Sequence, residues 1–496
     1  MSTFHSTVTR REFMKGLGLA GAGVGAASLT SPAFHDLDEL LSSPSYNKRP
    51  WWVKSREIGN PTTDIDWSMM DGSFDQRLEA HHIHTHALYI GFDEMEALES
   101  QNKRANEELA NMKANVPGYS HPTYALDKAS PGGPTKTWTG SKKVKSPEEL
   151  GVPRWQGSPE ENSKLLHAAT RLWGASQIGI STVDSNSKKM HFKYLKTGSE
   201  GLLGREWPPP LTVSKEFKWV NEDVGYENTT SITLPGNKQM YLIGIVTPMS
   251  KELWRRSPSI FKNIANGTRG LRNGPLAQGP HAFLYGLGYH YYTHMSDGND
   301  PISSPAACIM GGAAEMARQD NFCFTPEDGS CVGTFAAWTD IPLAPEAPID
   351  AGMFKFCATC GKCAEFCPSN SISREKEPTW EIPLSRGKER VYHFPGKKAY
   401  WCDGDTCHLY YAYNAGGCGI CYGTCSFNVD TSAMIHKLSK GMISTVPLFN
   451  GFLFNISKSF GYGVVPPEEM ESWWDLSLPS LGSDTSIEAW DIGYNK

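Results

Sequence analysis

The feature that most constrains this chain is a run of cysteines, Cys357-Ala-Thr-Cys360-Gly-Lys-Cys363-Ala-Glu-Phe-Cys367-Pro368, which reads C-x2-C-x2-C-x3-C-P without deviation. Two-residue spacers let three thiolates converge on one cubane from a single tight loop, while the fourth cysteine projects toward a second cluster. A structural zinc site would more often divide its four ligands into two separated pairs. A second run follows, Cys407, then ten residues, then Cys418-Gly-Ile-Cys421-Tyr-Gly-Thr-Cys425-Ser426. It keeps C-x2-C-x3-C, stretches the first spacer and ends on Ser rather than Pro. The crossover rule then pairs Cys357, Cys360 and Cys363 with Cys425 around one [4Fe–4S] cluster, and Cys407, Cys418 and Cys421 with Cys367 around the other. Cys402 is an alternative first ligand of the second run; the spacing favours Cys407. The remaining three of the 12 cysteines, Cys308, Cys323 and Cys331, read as small buried residues.

Two clusters alone make a small ferredoxin, yet more than 350 residues precede Cys357 in a chain of 496. That length implies two or three domains and a partner centre that receives or delivers electrons. Lys+Arg 47 against Asp+Glu 53 leaves a formal charge of −6, which argues against a general nucleic-acid binder. The 33 prolines and 48 glycines predict much irregular, loop-rich structure.

Residues 1–33 read as an address. Thr9-Arg10-Arg11-Glu12-Phe13-Met14-Lys15 has the pattern of a twin-arginine export signal, followed by a mildly apolar Gly/Ala stretch and a small-residue cleavage site at Ser31-Pro32-Ala33. Twin-arginine substrates cross the membrane folded, so a cofactor assembled in the reducing cytoplasm travels with the protein. Cysteines in an exported chain usually mean disulfides; here their spacing means metal.

Residues 34–150 form an N-terminal extension of weak pattern. Within it, His81-His82-Ile83-His84-Thr85-His86 alternates as a strand would, with His82, His84 and His86 on one side. No carboxylate or cysteine completes a ligand set, and the segment reads as polar and solvated rather than metal-binding. The next part, 151–350, mixes helix and strand. Ser158 is an N-cap, Pro159 suits the first turn and Glu161 completes a capping box. Leu165, Leu166, Ala169, Leu172 and Trp173 then form an apolar face that Gly174 ends. Met240–Val246 reads as a buried strand, and His281–Tyr289 and Ala306–Arg318 as helices. The small residues Gly311 and Gly312 in the last of these allow close approach of a helix or of a flat cofactor. The fold class is α+β. The cysteine runs occupy a module at 351–430, and 431–496 is a C-terminal segment.

Beyond the cysteines, the chain resembles the catalytic subunits of corrinoid-dependent respiratory reductive dehalogenases over nearly its whole length. The likeness is carried by the twin-arginine segment, Trp155-Gln-Gly-Ser158-Pro-Glu-Glu-Asn162, Gly174-Ala175-Ser176 and Gly286-Leu-Gly-Tyr289. It continues through Thr339-Asp-Ile-Pro-Leu-Ala-Pro345, Pro348-Ile-Asp-Ala-Gly352, both cysteine runs, Pro447-Leu-Phe-Asn-Gly451 and Phe460-Gly-Tyr-Gly463. The resemblance implies a nitroreductase-like domain that binds a corrinoid, base-off, followed by a bacterial-ferredoxin-like module with two [4Fe–4S] clusters. It implies replacement of a carbon–halogen bond by carbon–hydrogen, with electrons passed through the clusters to the corrinoid cobalt. It further implies a small organohalide substrate, an electron donor of a respiratory chain, and a small integral membrane anchor protein holding the chain at the outer face of the cytoplasmic membrane.

The family's proton-donating tyrosine and its basic partner are not matched. The corresponding stretches read Arg269-Gly-Leu-Arg272-Asn-Gly274 and Gly329-Ser-Cys331-Val-Gly333. Tyr289, Tyr291 and Tyr292 are the substitute candidates for the phenol, with Arg272 as a group able to lower a neighbour's pKa; each tyrosine also reads as an aromatic of the core. Two other functions share the cysteine pattern: an epoxyqueuosine-reductase-like corrinoid enzyme, and an electron-transfer subunit without substrate chemistry.

Overall fold

A computed structural model describes residues 49–477, apart from 51, 80–82, 121–122, 125–144, 152, 196–214, 296–299, 321, 429–433, 446–449 and 460–461. The twin-arginine segment, His81, His82, most of the Pro447–Gly451 motif and the start of the Phe460–Gly463 motif lie outside the described residues. Helices α1 (Ile83–Ile90) and α2 (Phe92–Glu99) belong to the N-terminal extension. Helix α3 (Pro159–Leu172) precedes strand β1 (Gln177–Thr182), and β2 (Tyr241–Pro248) leads into α4 (Lys251–Trp254), α5 (Phe261–Gly270) and α6 (Asn273–Leu287). Then come β3 (Tyr291–Tyr292), α7 (Ser304–Met310) and β4 (Val332–Thr339), and beyond them α8 (Met353–Cys360), α9 (Gly404–Tyr413) and α10 (Ile420–Gly423).

The centre is a four-stranded antiparallel sheet in the order β1-β2-β4-β3. Its strands are buried on both faces, which explains their near-continuous apolar sequence, Leu-Ile-Gly-Ile-Val in β2 and Phe-Ala-Ala-Trp in β4. One face packs on α3 and α6 through Leu166, Ile178, Ile243, Leu276 and Phe335; another core, around Leu242, Tyr292 and Trp338, includes Ala307 and Met310 of α7.

Helix α3 starts as its sequence dictates, with Ser158 and Glu161 forming the reciprocal capping box. Its buried face differs from the apolar stripe. Leu172 is 81 % exposed, whereas Asn162, Ser163, His167 and Thr170 are buried beside Leu166. The neighbour explains this. The extended stretch after β4 has backbone groups with no strand to pair, and α3 satisfies them: Asn162 Nδ2 donates to the Pro342 carbonyl at 2.9 Å, and Ser163 Oγ accepts from the Ala344 amide at 2.9 Å.

The expected helix Ala306–Arg318 stops at Met310. Gly311 lies so close to β1 that a Cβ would come within 2.4 Å of the Gly179 backbone, and Gly312 turns left-handed (φ +81°) beneath the Ala347 carbonyl. The chain then enters a two-residue strand, Glu315–Met316. From Ile83 on, the histidine run is a helix rather than a strand or a solvated segment. His84 and His86 are fully buried in α1, and His86 stacks on His408 of α9 with ring centroids 4.0 Å apart. The N-terminal extension thus covers the cysteine module, and Lys54–Ser55 also pairs antiparallel with Ile349–Asp350.

Candidate functional site

The cysteine runs sit against one end of the central sheet. Strand β4 begins directly after Cys331, whose carbonyl accepts from the Met249 amide at 2.8 Å just past the end of β2. Trp254 of α4 stacks on Tyr422 of α10, with centroids 4.3 Å apart and planes 14° from parallel, and Phe322 meets the same tyrosine edge-on at 4.6 Å. Gln319 Nε2 donates to the Cys421 carbonyl at 3.2 Å. Gly423 permits this seam, since a Cβ there would lie 2.4 Å from the Trp254 carbonyl oxygen.

Within the module, Cys357 and Cys360 close α8, Gly361 reverses the chain with φ +56°, and Cys363 follows in a single turn, Lys362–Glu365. A glycine is required there because an L side chain would be strained in that conformation. Gly419 (φ +100°) does the same between Cys418 and Cys421. Burial pushes the Cys357, Cys363 and Cys421 thiols up, and the nearness of other cysteines adds to it. Cys357 is raised further by Cys363, Cys360 and Cys425, while Cys421 is raised by Cys418, Cys407, Cys363 and Cys367. Cys418, pushed up to about 11 chiefly by burial, lies in the fields of Cys407 and Cys367. The structure therefore brings the thiols of both runs near one another: Cys357 and Cys363 lie in the fields of Cys360 and Cys425, and Cys421 lies in those of Cys418, Cys407, Cys367 and also Cys363. Cys402 hydrogen-bonds to Cys407; this bond holds the Cys407 thiol below its ordinary pKa and lifts Cys402. Among the described residues, no three His, Cys, Asp or Glu converge on a point tightly enough for a single ion. Cys308, Cys323 and Cys331 are buried, with Cys308 directed at the Ile245 carbonyl.

A family model described as reductive dehalogenase subunit matches residues 48–343. The chain belongs to the reductive dehalogenase family. It is 30 % identical to a chloroethene reductive dehalogenase of Dehalococcoides mccartyi strain VS, over 98 % of this chain and 99 % of the relative. It is 27 % identical to a trichloroethene reductive dehalogenase of Dehalococcoides mccartyi strain ATCC BAA-2266, with the same coverage. Among solved structures it is similar in fold to the catabolic reductive dehalogenase NpRdhA, with a TM-score of 0.56 at 17 % identity over 87 % of this chain. A reductive dehalogenase whose structure suggested a mechanism for B12-dependent dehalogenation gives a TM-score of 0.55 at 16 % identity over 88 % of this chain. The chain spans about half the length of both solved proteins, 52 % in each case. The protein is accordingly an oxidoreductase acting on organohalides.

The tyrosine candidates of this dehalogenase lie far from the cysteines. Tyr291 and Tyr292 pair with Thr339 and Trp338 at the end of β4 opposite Cys331, about 25 Å away at the rise of a strand. Tyr292 Oη accepts from the Gly225 amide at 2.9 Å, and Tyr289 Oη donates to the Trp155 carbonyl at 2.8 Å beneath the Arg154 guanidinium. Burial raises the Tyr291 and Tyr292 phenols. All three serve as core aromatics here. Arg272 is also structural, donating to the Pro248 carbonyl at 3.3 Å and filling the space beside Gly174.

Two residues that the sequence reading passed over meet at the seam. Arg269, in the last turn of α5, lays its stem across Gly333, where a Cβ would lie 2.6 Å from the Arg269 Cβ. Its guanidinium and the Tyr422 phenol lie in each other's fields. Burial lowers the pKa of the first and raises that of the second. The sequence signal for Tyr422 was its place between Cys421 and Cys425; Arg269 carried none.

Proposed function

We propose that this dehalogenase is an exported, membrane-associated enzyme that replaces a carbon–halogen bond by carbon–hydrogen using two [4Fe–4S] clusters and a corrinoid. The observation that carries the reading is the gathering of the two cysteine runs at the end of the central sheet.

The residues present fit the clusters. Cys357, Cys360, Cys363 and Cys425 would hold one, and Cys367, Cys407, Cys418 and Cys421 the other. Tetrahedral zinc would draw four sulfurs to within about 4 Å of one another, and among the described residues no three His, Cys, Asp or Glu converge that closely. Backbone amides already point at the sulfurs: Ser371 donates to Cys367 Sγ at 3.3 Å, and Gly419 and Ile420 to Cys418. Trp254 Nε1 and Ser257 Oγ are buried donors with no acceptor among the described residues, and Ser257 Oγ lies beside Gly419. Such donors are the groups that tune bound sulfur centres. When bound, the clusters supply single-electron transfer and the corrinoid supplies the carbon–halogen chemistry. The chain's part is to bury the thiolates, hold their loops and keep water out.

A corrinoid cradle at Gly311 and Gly312 does not fit. Both glycines are closed off by protein backbone, Gly311 by Gly179 and Gly312 by Ala347. The corrinoid enters the proposal through the B12-dependent dehalogenase of similar fold, and no step is derived through it. The nitroreductase-like and ferredoxin-like character of the two modules belongs to the same proposal.

Export by the twin-arginine route and attachment through a small integral membrane anchor, with a respiratory electron donor, complete the reading. No helix among the described residues is long and apolar enough to cross a membrane. Co-expression with the anchor should bring the mature chain into the membrane fraction; a chain that stays soluble removes the partnership. The decisive test is anaerobic reconstitution with corrinoid, iron and sulfide, followed by a screen for halide release. The screen should begin with chloroethenes, on which two relatives are named as acting. Cofactor-loaded protein that releases no halide from any organohalide overturns the reading.

A further inference from the structure

The chain from α4 into α5 lies directly on the loop that carries Cys418 and Cys421. A Cβ at Gly419 would meet Trp254 Cζ3 at 2.6 Å, Lys262 Cγ at 2.8 Å and Ser257 Oγ at 2.9 Å. Ser257 and Lys262 are both buried. The Ser257 hydroxyl has no hydrogen-bond partner among the described residues. Lys262 Nζ donates to Tyr411 Oη at 3.2 Å, and no carboxylate among the described residues pairs with it. Tyr411 is itself fixed on the same loop, since a Cβ at Gly417 would fall 2.5 Å from its ring. The lysine stem and its phenol acceptor thus close over Gly419 and Gly417, the two neighbours of Cys418. Withholding a charge and a hydroxyl from water is costly unless a partner completes the site. The carboxylate nearest in effect, Asp403, is already engaged: Arg390 pairs with it at 3.1 Å, and Ser385 and Tyr392 donate to it at 3.0 and 3.1 Å. Asp403 and the Lys262 ammonium both act on Cys407, so the unpaired charge faces the second cysteine run.

We propose that Lys262 and the Ser257 hydroxyl set the reduction potential of the cluster held by the second cysteine run, making it easier to reduce than its thiolates alone would. The inference rests on the two-cluster reading above and deepens it. One electron from the respiratory donor adds one negative charge to a centre that four thiolates already make anionic. Net charge, hydrogen bonds to sulfur and solvent exposure set the potential of such a centre. An ammonium beside it and a hydroxyl directed at its sulfur both favour the reduced form. Both groups belong to the segment between β2 and α6, so the packing of that segment on the cysteine loop gives the cluster its potential.

The test is an EPR-monitored redox titration of full-length, cluster-reconstituted protein. The signal missing from Cys418→Ser identifies the second cluster. Lys262→Met keeps the stem over Gly419 and removes the charge. It should shift that signal about 10-fold or more toward the oxidised form, a midpoint about 59 mV more negative for one electron. Ser257→Ala should shift it the same way by less, and Lys262→Arg should keep the wild-type value. If Lys262→Met takes up too little iron, Ser257→Ala decides by the same sign. A midpoint unchanged in these variants, with about eight iron atoms per chain retained, overturns the tuning and leaves the two-cluster reading standing. An equal fall in Lys262→Arg and Lys262→Met makes the lysine a packing residue and overturns the role of its charge. Wild-type protein that takes up only about four iron atoms overturns the two-cluster reading and this inference with it.

Discussion

Arg318 donates twice to the carbonyl of Cys357, from Nε at 3.0 Å and from Nη2 at 2.6 Å. Its remaining nitrogen, Nη1, reaches the Ser373 and Glu375 carbonyls at 2.7 and 2.8 Å, and its plane lies 3.9 Å over the Tyr400 ring. One guanidinium therefore ties the strand end at Met316 to both sides of the first cysteine run. Lysine has a single point of attachment and no fork. Arg318→Lys should cost about 2–4 kcal/mol, from buried charged hydrogen bonds left unmade. It should lower Tm and the iron retained after gel filtration; an unchanged Tm would show that the loop is held elsewhere.

The choice between Cys402 and Cys407 is open to direct measurement. They hydrogen-bond to each other, and the ten-residue spacing to Cys418 favours Cys407 as the ligand. Cys407→Ser should reduce reconstituted iron from about eight to about four per chain, whereas Cys402→Ser should keep both clusters. The reverse pattern would exchange their roles.

How far the sequence carried the fold depends on what each element packs against. The capping box at Ser158 and the apolar strand before Pro248 were readable because local sequence sets them. The polar buried face of α3 was not, since Ser163 and Asn162 answer backbone groups of Pro342 and Ala344, about 180 residues away in sequence. The end of α7 at Met310 depends on backbone packing at Gly179 and Ala347, which no local pattern displays. His84 and His86 looked solvated because the helix that buries them lies over 300 residues downstream. The cysteine groups were readable from spacing, while Lys262 meets Tyr411 only once the sheet end and the module are joined.

Glu315 should make the protein less stable as pH rises. Burial pushes its carboxyl up to about 8, with Asp350 adding to the shift, although its Oε2 accepts from the Ala351 and Met353 amides at 3.2 Å each. Between the unfolded value near 4.5 and about 8, the folded chain binds the extra proton. This group's contribution therefore falls by up to about 1.4 kcal/mol per pH unit across that window and levels off above it. Glu315→Gln keeps an acceptor for the two amides and removes the proton. Tm measured from pH 5 to 9 should decline less in the variant than in the wild type.

His191 works in the opposite sense. Its Nε2 accepts from Trp338 Nε1 at 3.1 Å, which requires the neutral ring, and burial holds its pKa down at about 4. The unfolded chain takes up the proton near 6.5, so stability is present above that pH and is lost as pH falls from about 6.5 to about 4. Trp338→Phe leaves the His191 acceptor unpaired and should cost about 1–3 kcal/mol at pH 7. In His191→Phe, the drop in Tm from pH 7 to pH 5 should shrink relative to the wild type; an unchanged drop would place the acid sensitivity on other groups.

The last expectation concerns Tyr291, whose hydroxyl is buried against His281 with no hydrogen-bond partner among the described residues and about 25 Å from the cysteine seam. Burying a hydroxyl without a partner costs about 1–3 kcal/mol. Phenylalanine has the same shape without that cost. Tyr291→Phe should therefore raise stability by about 1 kcal/mol and leave turnover of the reconstituted enzyme unchanged. A variant that folds with full cofactor content yet loses turnover would return Tyr291 to the catalytic site and would mean that the reacting carbon lies at the far end of β4, away from the cysteine seam.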